Sequence, residues 1–338
     1  MQRIAITHGE CGSVNYELLI RTFLDGILLD GVVQPILFGS SKILSMTAKS
    51  MGHPDFFQRT KKLQVEDVIP ANRDIAYSRG EATKMSGELA IAAVEKAIQS
   101  LKKGESRGSG ILLTLPLDPE AVRLSRADFK NQASLIASYF STGTPYRMFL
   151  SERLKTTFMS PASSIANIAP DRVESRILAL HKTFKEDFSI LSPRIAVLSM
   201  SEDVNAAGLT DKDISILKPI VDKLMVDGNA CFGPFTVAQT LEMRDNFDVF
   251  LCMYREQQDM LFKDLETSSL CYFTAGLQIV HIEPHLPLNM GQLTDIATAE
   301  HDLRNAIYYG TDIFAHRTEN IPLLANPLGF SKKIEVNE

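Results

Sequence analysis

The 338-residue chain has little sulfur chemistry to offer: four cysteines, Cys11, Cys231, Cys252 and Cys271, with no C-x-x-C pair among them. Thiols so widely spaced make neither a disulfide frame nor a structural zinc site, and Cys252 lies inside an apolar run, so all four read as buried thiols of a reducing compartment. Long apolar runs are missing too. No stretch reaches the roughly 18 to 20 residues a membrane span needs, and the apolar part of Met1-Gln-Arg-Ile-Ala-Ile-Thr-His8 is too short for a secretory signal. Positive charge is scarce: 35 Lys and Arg against 41 Asp and Glu give a net charge of -6, with no basic run, which gives no electrostatic reason to expect nucleic acid. A phosphate loop and a Ser-His-Asp set are not recognisable either. The expectation is a soluble cytoplasmic protein with neither nucleic-acid nor membrane partners.

What is present is an ordinary globular composition, 45% hydrophobic and 22% charged. The chain is longer than one core usually supports, which predicts two lobes around a cleft. Strand-like runs at 3–7, 35–39, 111–115, 146–150, 155–159, 193–199 and 249–253 alternate with helical patterns at 16–24, 41–51, 84–102, 129–140, 171–188, 211–227, 236–243 and 294–317. Such alternation predicts an α/β fold with mainly parallel pairing. Residues 52–79 read as a loop with one strand near 63–65, residues 230–235, 272–274 and 278–281 as extended, and the end of the chain from 322 as a loosely ordered tail. Asp118 is an N-cap before Pro119, Asp171 caps the next long helix, and Gly228 stops the helix at 211–227.

Three places could carry chemistry. His8-Gly-Glu-Cys-Gly-Ser13 joins a strand to a helix, and such a turn can hold an anion at the helix N-terminus, although many glycine-bearing turns hold nothing. The glycine-rich 104–110 precedes its strand, the wrong order for a phosphate loop, and is a turn. The buried run 249–253 carries Tyr254, Arg255, Glu256 and Gln257 at its carboxyl end, where open α/β sheets bind ligands; this reads as a loop, followed by a helix at 262–266. His281-Ile-Glu283-Pro-His285 sets three potential ligands on alternate positions of an extended segment, a set suited to zinc, manganese or iron, with Pro284 disturbing the strand and a plain surface segment as the other reading. His181, His301 and His316 fall on helices and read as solvated.

Ile6-Thr-His-Gly9, Pro35-Ile-Leu-Phe-Gly-Ser40, Thr114-Leu-Pro116, Pro193-Arg-Ile-Ala-Val197, Phe232-Gly-Pro234, Met253-Tyr254, Lys263 and Thr274-Ala-Gly-Leu277 stand in an order that resembles the 4-hydroxythreonine-4-phosphate dehydrogenase family over nearly the whole chain. The resemblance implies a two-lobed α/β/α fold like that of isocitrate and isopropylmalate dehydrogenases, a cleft between the lobes, and a homodimer. It also implies oxidation of a phosphorylated hydroxy amino acid by NAD or NADP on the way to pyridoxal phosphate, with a divalent metal held by three histidines. The first lobe is expected over 1–125 plus about 286–338, and the second, carrying the dimer interface, over 126–285.

The chain departs from that pattern at the metal. Where the family has G-H-T-E it has Asn131-Gln-Ala-Ser134, where the family has N-P-H-A-G it has Ser201-Glu-Asp-Val-Asn205, and where the family has M-Y-H-D-Q it has Met253-Tyr-Arg-Glu-Gln257. Gln132, Asp203 and Arg255 thus replace three histidines. Arginine stays protonated and offers no lone pair, so the expectation is that Arg255 substitutes for the ion, paired with Asp203 or Glu202 across the dimer, and that the divalent metal is absent, with a solvated loop residue as the other reading of Arg255. Carried over position by position, the resemblance implies Asp203 and Lys263 as catalytic candidates. It implies Thr114, Gln132, Arg255 and Lys263 against a small phosphorylated metabolite, and Thr274, Gly276 and Leu277 against the cofactor. Three readings follow: a divergent dehydrogenase, a non-catalytic homodimeric relative that binds a phosphorylated metabolite, and an enzyme of changed chemistry built on His281, Glu283 and His285.

Overall fold

The computed structural model describes residues 2–24, 33–61, 63–69, 78–103, 110–160, 168–263, 270–286 and 296–324. Eleven strands make one sheet: β1 (Gln2–Thr7), β2 (Val33–Gly39), β3 (Gln64–Asp67), β4 (Ile111–Thr114), β5 (Ser141–Leu150), β6 (Lys155–Ser160), β7 (Ile195–Leu198), β8 (Cys231–Phe235), β9 (Val249–Tyr254), β10 (Cys271–Leu277) and β11 (Val280–Pro284). Their order is β3-β2-β1-β4-β11-β10-β5-β6-β9-β7-β8. The strands from β3 to β11 pair in parallel, as do those from β6 to β8, whereas β10 runs antiparallel to both β11 and β5, and β5 antiparallel to β6. The α/β expectation holds, with two parallel halves joined through an antiparallel middle. β4, β7, β9 and β11 are buried at every residue, as strands covered on both faces must be.

The local chemistry explains most boundaries. Asp118 accepts from the N–H groups of Glu120 and Ala121 at 2.8 Å with Pro119 in the first turn, so the helix Pro119–Ser125 starts where expected. Thr236 and Gln239 make a reciprocal capping box for the helix Val237–Glu242. Asp171 does not cap the next long helix. That helix is Pro170–Asp187 with Ala169 at the cap, because the fixed φ of Pro170 suits the first helical position. The turn-and-helix reading around 254–266 is corrected as well. β9 runs directly into the helix Arg255–Phe262, since the Gln257 side chain accepts from the Met253 and Tyr254 N–H groups at 2.8 and 3.4 Å. A short helix, Phe56–Arg59, lies in the stretch read as loop. The turns at 104–109 and 161–164, the helix reading at 264–266 and the tail beyond 324 fall outside the described residues. Among the described residues no helix is long and apolar enough to cross a membrane.

Helices cover both faces. A Cβ on Gly310 of the helix Ile296–Leu324 would sit 3.0 Å from Ile111 and 3.5 Å from Ile282, which places that helix on the face of β4 and β11 that these isoleucines share. Thr114, His281 and Glu283 point to the other face by alternation, under the helix Gln132–Phe140. The helix Lys84–Lys103 touches Pro119–Ser125 so closely that a Cβ on Gly87 would lie 2.1 Å from the Ala121 carbonyl oxygen. Backbone cannot yield as a side-chain tip can, so Gly87→Ala is expected to lower stability by roughly 1–3 kcal/mol, read as a shift of the urea midpoint at unchanged slope.

Candidate active site

Sheet register assembles a polar row across the middle of the molecule. β4 and β11 place Leu113 beside Ile282, so the next residues, Thr114 and Glu283, stand side by side. β10 pairs Thr274 with His281 and Tyr272 with Glu283, and β5 pairs Arg147 with Thr274. His281 lies between two threonines, with Nδ1 3.0 Å from the Thr274 hydroxyl and Nε2 3.0 Å from that of Thr114. The Thr114 hydroxyl also stands 3.3 Å from Glu283 Oε1, to which Gln132 Nε2 donates at 3.0 Å. Arg147 forms an ion pair with Glu283 Oε2, and its guanidinium lies 3.6 Å above the Tyr272 ring. Full burial pushes the pKa of His281 below the ordinary value, only partly offset by the Glu283 charge, so the ring is neutral at pH 7 and has one N–H and one acceptor nitrogen for its two hydroxyl partners.

Of the residues picked out in the sequence, Thr114, Gln132, Thr274, His281 and Glu283 come together here. Gly276 and Leu277 leave the row. They line a cavity of about 430 Å³ on the far side of Thr274 with Tyr146, Lys182 and Arg317. Arg255 and Lys263 are exposed at opposite ends of one helix whose other face, Gln257, Gln258, Leu261 and Phe262, is buried. Arg255 is ion-paired to Asp259 at 3.7 Å within that helix, while the Asp203 carboxylate accepts from the Asn205 N–H at 2.9 Å on an exposed loop. Arg255 is among the charges that hold down the pKa of His285, after burial and Arg147. The sequence reading missed Arg147 and Tyr272. A single arginine inside the apolar strand Tyr146-Arg-Met-Phe-Leu150 was the available sign.

The metal reading of His281, Glu283 and His285 does not close geometrically. Both nitrogens of His281 face threonine hydroxyls, and the His285 ring packs edge-on against Phe149 and Tyr272, 5.1 and 5.4 Å between centroids. Among the described residues no three His, Cys, Asp or Glu side chains gather at a metal-sized site. The positions that carry histidines in the resembling family fit an ion no better, since Arg255 cannot ligate and the Gln132 amide is turned to Glu283.

The first turn is closed to phosphate by its own carboxylate. Glu10 is fully buried and accepts from the Gly12 N–H at 2.7 Å and the Ser86 hydroxyl at 2.9 Å, and burial raises its pKa. A Cβ on Gly9, at φ +65°, would meet the Pro116 carbonyl at 2.2 Å, so this glycine serves close packing. His8 beside it is fully buried, stacks on Tyr16 and lies 3.3 Å from the Leu89 carbonyl, with its pKa lowered to about 4 by burial. The unfolded chain takes up this proton near pH 6.5 and the folded chain only near 4, so stability falls as pH drops through that window. The slope is about 1.4 kcal/mol per pH unit, roughly 3 kcal/mol in all. His281 adds in the same direction and Glu10 against it. Urea titrations at pH 7 and pH 4.5 are expected to show His8→Gln losing most of that acid slope.

The family model for the pyridoxal phosphate biosynthetic protein PdxA matches residues 31–307. The chain belongs to this family. A 4-hydroxythreonine-4-phosphate dehydrogenase of Bacteroides thetaiotaomicron is 26% identical over 346 residues, covering 96% of this chain and 92% of its own. A relative from Oceanobacillus iheyensis, provisionally named a D-threonate 4-phosphate dehydrogenase, is 26% identical over 299 residues, covering 82% and 87%. The crystal structure of 4-hydroxythreonine-4-phosphate dehydrogenase from Klebsiella pneumoniae superposes with a TM-score of 0.74 at 19% identity, covering 92% of this chain and 100% of its own, a likeness of fold.

Proposed function

We propose that the protein is an NAD(P)-dependent dehydrogenase acting on a small phosphorylated hydroxy acid or hydroxy amino acid, at the row formed by Thr114, Gln132, Thr274, His281 and Glu283. The observation that carries this reading is the convergence of Thr114, Gln132 and Thr274, which the resemblance singles out, with His281 and Glu283 from a fourth element. The nicotinamide supplies the hydride acceptor. The chain's own task is the hydroxyl proton, and here a neutral imidazole stands behind a threonine hydroxyl. With the cofactor bound as hydride acceptor, Thr114 Oγ1 would take the substrate hydroxyl proton as it gives its own to His281 Nε2. Such a relay needs no Lewis acid, which suits a chain whose family metal positions carry Gln132, Asp203 and Arg255. Lys263 and Arg255, exposed on their helix, are proposed as cations facing the phosphate of the substrate, and a homodimer as the working form.

The test is formation of NADH or NADPH, followed at 340 nm as about one absorbance-bearing product per turnover, from 4-hydroxythreonine 4-phosphate and from D-threonate 4-phosphate in chelator. Turnover in chelator, lost in His281→Gln, is expected. Activity that appears only with an added divalent ion would refute the relay, and no reduction of either cofactor would refute the oxidation.

A further inference from the structure

On the sheet face opposite the polar row, a cavity of about 430 Å³ opens between the helices Pro170–Asp187 and Ile296–Leu324 and the turn that joins β10 to β11. Tyr146 lines it, whereas its neighbour on β5, Arg147, points to the row, as alternation along a strand requires. The volume falls in the range of sites that enclose a small organic ligand. Local backbone makes the gap. The pairing of β10 with β5 slips in register between Ala275 and Leu277, and Gly276 between them has φ +78° and no side chain to fill the space. A Cβ there would stand 3.3 Å from the Pro145 Cα, so the slip and the glycine belong together.

The body of the cavity is apolar, made by the Tyr146 ring, Leu277, Val280 and Phe314. Tyr146 is fixed in place: its hydroxyl lies 2.8 Å from the Thr183 hydroxyl and 3.2 Å from the Ala179 carbonyl, and the Arg176 guanidinium covers its ring at 4.2 Å. Of the charges around the cavity, Arg317 and Asp187 satisfy each other. Glu186 lines it too, and burial raises its pKa, holding the carboxyl towards its neutral form. Lys182 is exposed and makes no hydrogen bond or ion pair among the described residues, so its three donors are unspent. A preformed apolar body with one unspent cation at its edge suits a flat ring that carries a negative charge. We propose that this cavity is a second ligand site, for an aromatic carboxylate whose ring lies against Tyr146 and Phe314 and whose carboxylate meets Lys182. The site shares strands with the polar row but no side chain, so it is independent of the dehydrogenase reading.

Calorimetric titration of the full chain with 1-naphthoate tests this. One equivalent is expected to bind per chain, saturably, with a Kd on the order of 0.1 mM. The neutral 1-naphthalenemethanol and the cationic 1-naphthylmethylamine carry the same rings, and each is expected to bind at least about tenfold more weakly, the worth of one charge-assisted bond. Lys182→Gln, at an exposed helix position that glutamine suits, is expected to weaken 1-naphthoate by about tenfold and to leave the alcohol unchanged. Phe314→Ala is expected to weaken both by about fivefold, through the lost ring contact. The absence of saturable binding, an amine bound as tightly as the carboxylate, or either variant leaving the affinity for 1-naphthoate unchanged overturns the proposal. The first two are read on the unaltered protein, and they give their answer even where Phe314→Ala fails to fold.

Discussion

Asp213→Ala is expected to cost about 4 kcal/mol or more, by the number of buried donors it would leave without an acceptor. The Asp213 carboxylate is fully buried and accepts four hydrogen bonds: from the Met200 N–H and Ser199 hydroxyl at 2.6 Å each, and from the Thr210 N–H and hydroxyl at 2.7 and 2.8 Å. Together they fasten both ends of the loop that follows β7 and carries Asp203. Water cannot reach the released donors without opening that loop. The variant should unfold at lower urea and show early proteolytic cleavage between residues 200 and 210. Asp213→Asn, which keeps one acceptor oxygen, should recover part of the loss. Cleavage no faster than in the unaltered chain would show that the loop is held by something else.

Arg317→Ala is expected to cost roughly 3–5 kcal/mol, the usual penalty for leaving one member of a buried ion pair alone. Arg317 grips Asp187 with a fork, Nε to Oδ1 at 2.5 Å and Nη2 to Oδ2 at 3.0 Å, and sends Nη1 to the Leu277 carbonyl at 3.2 Å. The Asp187 side chain is 4% exposed, so the stranded carboxylate would have little solvent to turn to. One side chain thus ties together the ends of two long helices and the turn between β10 and β11. Arg317→Lys should recover little, because an ammonium cannot span both carboxylate oxygens and a carbonyl. The double variant Arg317→Met with Asp187→Leu should regain most of the stability, since apolar replacement of a buried pair is often neutral or better. Thermal unfolding of the four proteins checks this.

Much of the architecture was legible because it follows from local rules. Continuous apolar runs marked β7 and β9, and signals such as Asp118 and Gly228 marked helix ends from a few neighbouring residues. The errors have local causes too. Pro170 outranked Asp171 as a start point, and Gln257 folded back on β9 so that no loop was needed before the helix at Arg255. The antiparallel middle was harder to read, because pairing β10 with β5 depends on contacts between residues more than 120 positions apart. That pairing decides which side chains share a face. Thr114, Gln132 and Thr274 could be singled out one by one, but their meeting with Arg147 and Tyr272 is a property of register, which sequence pattern does not encode at that distance.

The two outermost strands bear on how copies of this chain could assemble. β3 is four residues long with Glu66 and Asp67 at its end, and β8 holds Pro234, which has no N–H to give. Short, charged or proline-bearing borders discourage a neighbour from adding itself to the ladder. Among the described residues the eleven-stranded sheet thus ends on both sides in strands that discourage extension, and a second copy is expected to dock through helices and loops.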